Sequence, residues 1–243
     1  MDSSKFTVII PHSNTDPTRD RNLKYIIHYY RKHLPNSIII VPEQNSDTDL
    51  NGFPIDLHLK IAQDKSFHKT KLFNEAFKKS DTPFLVLADN DCIVHPEVLN
   101  RLEEEMEDCD FLLPFDFVHN WTPQETHEFI TKGIMLPGRS RVHRNTGGCN
   151  VVRRETYIDV KGFDEHIRGW GCEDSIFPEK IERFHRMKRW TKHNMYHLYH
   201  NVVHAKGRNP EFNYNNREWI KIKNYNKEQM REYINTIPMS NMQ

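Results

Sequence analysis

Phe84-Leu85-Val86-Leu87-Ala88 runs directly into Asp89-Asn90-Asp91 (FLVLADND, residues 84–91). Five consecutive apolar residues are too few for a typical helix. They also lack the alternation of a strand with one wet face. A strand apolar at every position is covered on both sides, as in a parallel sheet wrapped by helices. The polar triplet then falls at the carboxyl end of that strand, where open α/β sheets bind their ligands.

The flanking sequence repeats this pattern. Lys5–Pro11 (KFTVIIP) and Ser37–Val41 (SIIIV) read as buried strands, with Leu57–Ile61 as a third. Leu23, Ile26, Ile27, Tyr30 and Leu34 share one helical face, with Asp20 or Asn22 as its cap. His68–Lys79 reads as a helix with Leu72, Phe73, Ala76 and Phe77 inward, and Pro96 opens another carrying Val98, Leu99, Leu102 and Met106. The predicted class is α/β, with a mostly parallel central sheet flanked by helices. After a strand at Phe111–Phe115 the pattern loosens. Residues 116–146 are polar and include PGRSRVHRN, which reads as a mobile basic loop. A strand (GGCNVVR), a short helix, GWGCED (169–174) and a basic amphipathic helix follow, then an Asn-rich stretch from Gly207 and a helix near Lys227–Asn235. No repeat or clean linker divides the chain, so a single domain is expected over 1–243.

The totals exclude several classes. With 34 basic and 34 acidic residues, charge gives no reason to expect nucleic acid as a partner. The start, MDSSKFTVIIPHSN, has no basic segment followed by a long apolar run, so no signal peptide is expected, and no apolar stretch is span-length. Four widely spaced cysteines (Cys92, Cys109, Cys149, Cys172) form no C-x-x-C pair and suit a reducing cytosol. The first of nine glycines is Gly52, so the first strand-to-helix junction, HSNTDPTRDRN, contains neither a G-x-G-x-x-G turn nor a Walker loop. A bound diphosphate would need another neutralising group, and a metal ion is the natural candidate.

Asp89 and Asp91 can reach one hard cation, or a cation and a ribose, although Asp and Asn also simply make turns. In MYHLYH, an extended backbone would point His197 and His200 to opposite faces, whereas a turn would let both bind. They could equally be buried histidines bonded to backbone. GWGCED also reads two ways. In one, Gly-Trp-Gly is a tight turn with Trp170 plugging the core and Glu173-Asp174 starting a helix. In the other, Gly169 and Gly171 let a ligand approach, Trp170 offers it a flat face, and the carboxylates serve as acceptor and base.

Taken in order, VIIPHSN with RNLKYIIHYY, FHKTKLFNEAF, FLVLADNDCI, GGCNVVRRETYIDVKGFDE, GWGCED and HLYH resemble the β-1,4-galactosyltransferase family and related bacterial glycosyltransferases of the GT-A fold. The resemblance spans about residues 5 to 200, and the GGCNVV…GFDE…GWGCED block is its most specific part. It implies an inverting transferase that moves a sugar from a UDP-sugar, of galactose or N-acetylhexosamine type, to a glycan hydroxyl. Residues up to about 115 would bind the nucleotide-sugar, about 116–205 would hold the acceptor and catalytic groups, and 206–243 would be an extension. The resemblance places Pro11, Glu43, Lys71, Asn74, Asp89, Asp91, Gly148 and Trp170 at the donor, with Glu43 on the uridine side. It makes Asp174 the base, sets Glu173 near the acceptor, and gives Asp91, His200 and His197 to Mn2+ or Mg2+. A lipid-linked surface glycan would be the acceptor, reached from the cytoplasm with at most peripheral membrane contact. The chain departs from the family in a longer first loop without its aromatic, and in Ser175-Ile176 where animal members continue with aspartates. Donor and acceptor identity are therefore not carried over. Three alternatives stay open: a retaining GT-A transferase, a metallophosphohydrolase acting on nucleotide-sugars, and a non-catalytic sugar-binding module.

Overall fold

The computed structural model describes residues 1–13, 16–136, 140–142, 145–169, 171–201 and 211–238. The amino-terminal half alternates as expected: β1 (Phe6–Ile9), α1 (Pro17–His33), β2 (Ile38–Glu43), β3 (Leu57–Lys60), α2 (Lys69–Phe77) and β4 (Phe84–Ala88). Then follow β5 (Cys92–Val94), α3 (Pro96–Asn100), α4 (Leu102–Glu105), β6 (Phe111–Leu113), β7 (Val118–Asn120), α5 (Pro123–Lys132) and β8 (Ser140–Val142). The remainder is β9 (Cys149–Arg153), α6 (Arg154–Asp159), α7 (Glu173–Glu182), β10 (Met187–Arg189), β11 (Met195–His197), α8 (Phe212–Ile222) and α9 (Lys227–Thr236).

Seven strands form the main sheet in the order β10-β6-β9-β4-β1-β2-β3. Only β9 runs antiparallel to its neighbours β4 and β6. The strand period divides the core cleanly. Phe6, Val8, Val86, Ala88, Cys149 and Val151 face one cluster with Leu23, Ile26 and Tyr30 of α1. Ile9, Ile40, Leu85, Leu87 and Val152 face the other, with Phe73 and Phe77 of α2 and Phe177 and Ile181 of α7. A smaller sheet, β5-β11-β7-β8, lies across the carboxyl end of β4.

Several boundaries differ from expectation. The cap of α1 is Asp16, whose carboxylate accepts the Thr18 N–H, with Pro17 at the first helical position. Asn22, one of the two expected caps, is buried inside the helix. The helix expected from Pro96 breaks at Arg101, where φ is −118°. The loose region 116–146 contains α5, closed by a reciprocal Thr122–Glu125 cap. Most of the expected mobility of PGRSRVHRN lies outside the described residues. The helix after GWGCED begins inside the motif at Glu173 with two acids in its first turn, and the basic run that follows holds β10 instead. Among the described residues, no helix is long and apolar enough to cross a membrane.

Candidate active site

The site grows from the carboxyl end of β4. The Asp89 N–H donates to Gly148 O at 2.8 Å, continuing the β4–β9 ladder, in which Ala88 faces Cys149. Asn90 is buried and its side-chain amide meets His12 Nδ1 at 2.7 Å, while His12 Nε2 reaches Asp20 and Thr48 at 2.9 and 3.1 Å. The ends of β1, β2 and β4 are thereby joined beneath the surface.

Asp91 is placed by the small sheet. Antiparallel pairing of β5 with β11 sets His197 opposite Cys92, and the Leu198 N–H donates to Asp91 O at 2.7 Å. The strand stops at His197. The chain then bends, and α1 holds it there because Asn22 Nδ2 and Arg21 Nη2 both donate to Tyr199 O at 3.1 Å. His197 Nε2 lies 3.5 Å from Asp91 Oδ1, and His200 Nε2 lies 3.3 Å from Oδ2. His197 ends the strand and His200 follows in irregular chain, and both histidines meet one carboxylate. Arg19, in the first turn of α1, adds a guanidinium 3.3 Å from Asp91 Oδ2 and 3.3 Å from His200 Nε2. Burial works to raise the Asp91 carboxyl, but His197, Arg19 and His200 overcome it and hold it below the ordinary value. Burial holds the neighbouring Cys92 thiol well above its ordinary value, so it stays protonated. One carboxylate and two imidazoles make a mixed oxygen and nitrogen donor set that fits a divalent cation such as Mn2+.

Two residues away the environment reverses. Asp89 Oδ1 lies 2.7 Å from Lys69 Nζ, which also reaches Asp174 at 3.0 and 3.2 Å and Glu173 at 3.4 Å. Three carboxylates share one amine at the start of α2. Burial opposes the charge on Lys69, yet Asp174, Asp89 and Glu173 lift its pKa well above the ordinary value. Burial raises the Asp174 carboxyl to about 8, with Glu173 and Asp89 adding to the effect and Lys69 opposing it. Asp89 is raised too, by burial first.

GWGCED folds as a glycine turn that runs into a helix. Glu173 and Asp174 are the first residues of α7, where the helix dipole favours negative charge. Gly171 has φ +110°, and its N–H donates to Glu173 Oε2 at 3.0 Å. α8 braces the turn: Asn215 Nδ2 donates to Arg168 O at 2.7 Å and to Gly171 O at 3.0 Å. Trp170 lies outside the described residues. Gly147 approaches from β9's side so closely that a Cβ there would fall 2.3 Å from Asp174 Oδ2 and 2.7 Å from its Cγ.

The structure thus brings together Asp89, Asp91, Glu173, Asp174, His197 and His200, with Gly148 contributing its carbonyl to Asp89. Pro11 sits between β1 and the bridge from His12 to Glu43, at the strand ends. Three of the expected donor residues stand apart from this cluster. Asn74 is fully buried, and its amide joins Phe163 N and O, Glu165 Oε1 and Tyr157 OH; it fastens α2 to the 157–165 segment and does not face the acids. Lys71 lies about 200° around α2 from Lys69, at 3.6 residues per turn, and lines a separate cavity with His68 and Arg168. Glu43 has no exposed side chain; its carboxylate is taken by Lys60, His58, Ser46 and the Thr48 N–H. Burial works against that charge, but Lys60, Ser46 and Thr48 bring Glu43 down to about 2. Sequence reading missed Lys69, Arg19, Gly147 and Asn215. The Asp16-Pro17 start signal would have put Arg19 in a first turn, and helical rotation would have separated Lys69 from Lys71.

Residues 135–201 match a family model described as the N-terminal domain of galactosyltransferase. The chain is 24% identical over 195 residues to beta-1,4-galactosyltransferase 4 of Mus musculus, covering 76% of this chain but only 44% of the mouse protein's length. Among solved structures, S. aureus TarS in complex with UDP-GlcNAc superposes with a TM-score of 0.59 at 16% identity, covering 97% of this chain and 72% of that one. A Drosophila beta1,4galactosyltransferase 7 variant, in complex with manganese, UDP-Gal and xylobiose, gives 0.52 at 15% identity, covering 83% and 71%. These likenesses fix the fold as the GT-A fold of nucleotide-sugar transferases.

Proposed function

We propose that this protein is a metal-dependent, inverting glycosyltransferase that moves a sugar from a UDP-sugar to a glycan hydroxyl. The observation that carries the reading is the division of one strand end. Asp91 meets two histidines on one side, while Asp89 meets Lys69 and the Glu173-Asp174 pair on the other. Asp174 takes the proton from an acceptor hydroxyl as that oxygen bonds to the anomeric carbon. The bond from that carbon to the diphosphate breaks on the opposite face, its electron pair leaves with UDP, and the configuration inverts. Burial raises the Asp174 carboxyl to about 8, so its ionised form, which Lys69 favours, takes up a proton more readily than an ordinary aspartate. Lys69 holds Asp174 in place, and Glu173, steadied by the Gly171 N–H, accepts from sugar hydroxyls. Asp91, His197 and His200 would hold a divalent cation, which when bound would supply positive charge for the departing diphosphate. Arg19 adds a second positive group on the same side.

The donor-sugar type, galactose or N-acetylhexosamine, and a surface-glycan acceptor on a lipid carrier at the cytoplasmic face complete the proposal. The donor-sugar type is supported by the similarity of residues 135–201 to galactosyltransferases and by the UDP-sugars of the similar structures; the lipid-linked acceptor and the cytoplasmic face rest on the family resemblance alone. The test is calorimetry with UDP in the presence of manganese or a chelator, followed by transfer assays read by proton NMR. UDP should bind more tightly with metal, and the product should carry the anomeric configuration opposite to the donor's. Equal affinity in both conditions removes the metal from the proposal. A retained configuration removes Asp174 as the base.

A further inference from the structure

The cavity that claims Lys71 offers a second binding site. It has a volume of about 220 Å³, and its lining includes Asp64, His68, Lys71, Glu165, His166 and Arg168. That is smaller than the about 300–1,000 Å³ of sites that engulf a whole small molecule, so it suits a substituent of a larger ligand. Most of its polar groups are already committed. His68 Nε2 meets Glu165 O at 2.9 Å, Glu165 Oε1 accepts from Asn74 at 2.9 Å, and His166 Nδ1 pairs with Asp164 at 2.9 Å. Two cations are left over: among the described residues, the side chains of Lys71 and Arg168 make no ion pair or hydrogen bond. Asp64, the other lining carboxylate, is exposed, and its Oδ1 accepts the Lys65 N–H at 2.6 Å.

The position of the cavity is informative. His68 precedes Lys69, and Arg168 precedes the GWGCED turn, so both walls continue directly into the catalytic segment. The cavity and the acid cluster flank the same first turn of α2, about a helix diameter of 10 Å apart. Resting on the transferase reading, we propose that this cavity is an anion subsite that receives a phosphate or carboxylate group carried by the acceptor. The acceptor would then be an anionic glycan, anchored by Lys71 and Arg168 while its hydroxyl meets Asp174. A fork of guanidinium N–H groups with a nearby ammonium suits either oxyanion.

Titration of the full chain with inorganic phosphate, followed by amide NMR, tests the subsite. Paired acceptors differing only in one phosphate or carboxylate test its use and separate the two sources. Saturable shifts at Lys71 and Arg168 are expected, and the Lys71→Met/Arg168→Gln double variant should lose them. The favoured anionic acceptor should show a KM at least tenfold below its neutral partner, and the variant should erase the difference. Absent shifts at the cavity, or an unchanged KM ratio in the variant, overturn the proposal. Phosphate that competes with UDP also overturns it, and would return Lys71 to the donor. Cavity binding that persists while no acceptor is glycosylated would instead overturn the transferase reading, and the acceptor assignment with it.

Discussion

Asp89 and Asp91 stand two residues apart on one strand end, yet they live in opposite fields. Asp91 faces Arg19 and two imidazoles, and its proton affinity falls. Asp89 faces one shared lysine among carboxylates, and its proton affinity rises, as does that of Asp174 beside it. Asp91 is the more deeply buried of the two, yet its carboxyl is the one that is lowered, so burial alone does not explain the difference. What separates them is the partner set that the fold delivers: β11 and α1 on one side, α2 and α7 on the other. In the proposed mechanism one half holds a cation and the charge it attracts, and the other moves a proton.

Asp174→Asn should produce the largest break in this comparison. It removes the proton acceptor and leaves the cation half untouched, so turnover should fall about a hundredfold or more while UDP and manganese still bind. Near-normal turnover would reduce the acid cluster to a helix start. Next comes the pair itself. Asp91→Asn should raise the manganese concentration needed for half-maximal UDP binding by about tenfold or more, and Asp89→Asn should move it far less. His197→Ala and His200→Ala should each behave like Asp91→Asn, because both rings reach the same carboxylate. A shift in only one of them would mean that a single histidine binds.

A smaller effect tests a residue that the comparison leaves out. Asn74→Ala should lower stability by about 2–4 kcal/mol, since it strands several buried polar groups, and it should leave UDP affinity unchanged. Thermal melts beside calorimetry decide this. Lost UDP affinity at unchanged stability would put Asn74 back at the donor.

The smallest effect concerns another buried amine. Lys180 donates to Val160 O and Gly162 O and has no carboxylate cluster around it. Burial lowers its pKa from 10.5 to about 7, the reverse of Lys69. Between those values the unfolded chain binds the proton more than the folded chain does, so this group's contribution to stability rises with pH across that window. Lys180→Met should flatten that slope in denaturant titrations at pH 7 and pH 9. An unchanged slope would show that Lys180 is not its source.

The sequence exposed those parts of the molecule that local pattern determines. FLVLADND, SIIIV and KFTVIIP are strands because full burial demands apolar residues at every position, and their ends mark the site without help from tertiary structure. Glu173 and Asp174 could be singled out because rare residues cluster around them. Lys69 was hidden because Lys71 is chemically identical, and only rotation around α2 distinguishes them. Asn74 is bonded to buried backbone, and an amide that satisfies buried backbone looks the same in sequence as one that meets a ligand. The two histidines stayed ambiguous until the end of β11 was known, since that end is set by pairing with β5. α8 was lost in an Asn-rich stretch that reads as loop, although Asn215 is the residue that secures the catalytic turn.

Gly147 has a use beyond packing. Its φ lies outside the left-handed region, so its backbone would accept any small side chain; only the volume held by Asp174 forbids one. Gly147→Ala therefore amounts to a blocking group written into the chain, a single methyl set where the carboxylate now rests. It would evict the base without altering its chemistry and without touching the residues around Asp91. The active site thus carries its own off position, at a residue with no side chain to inspect.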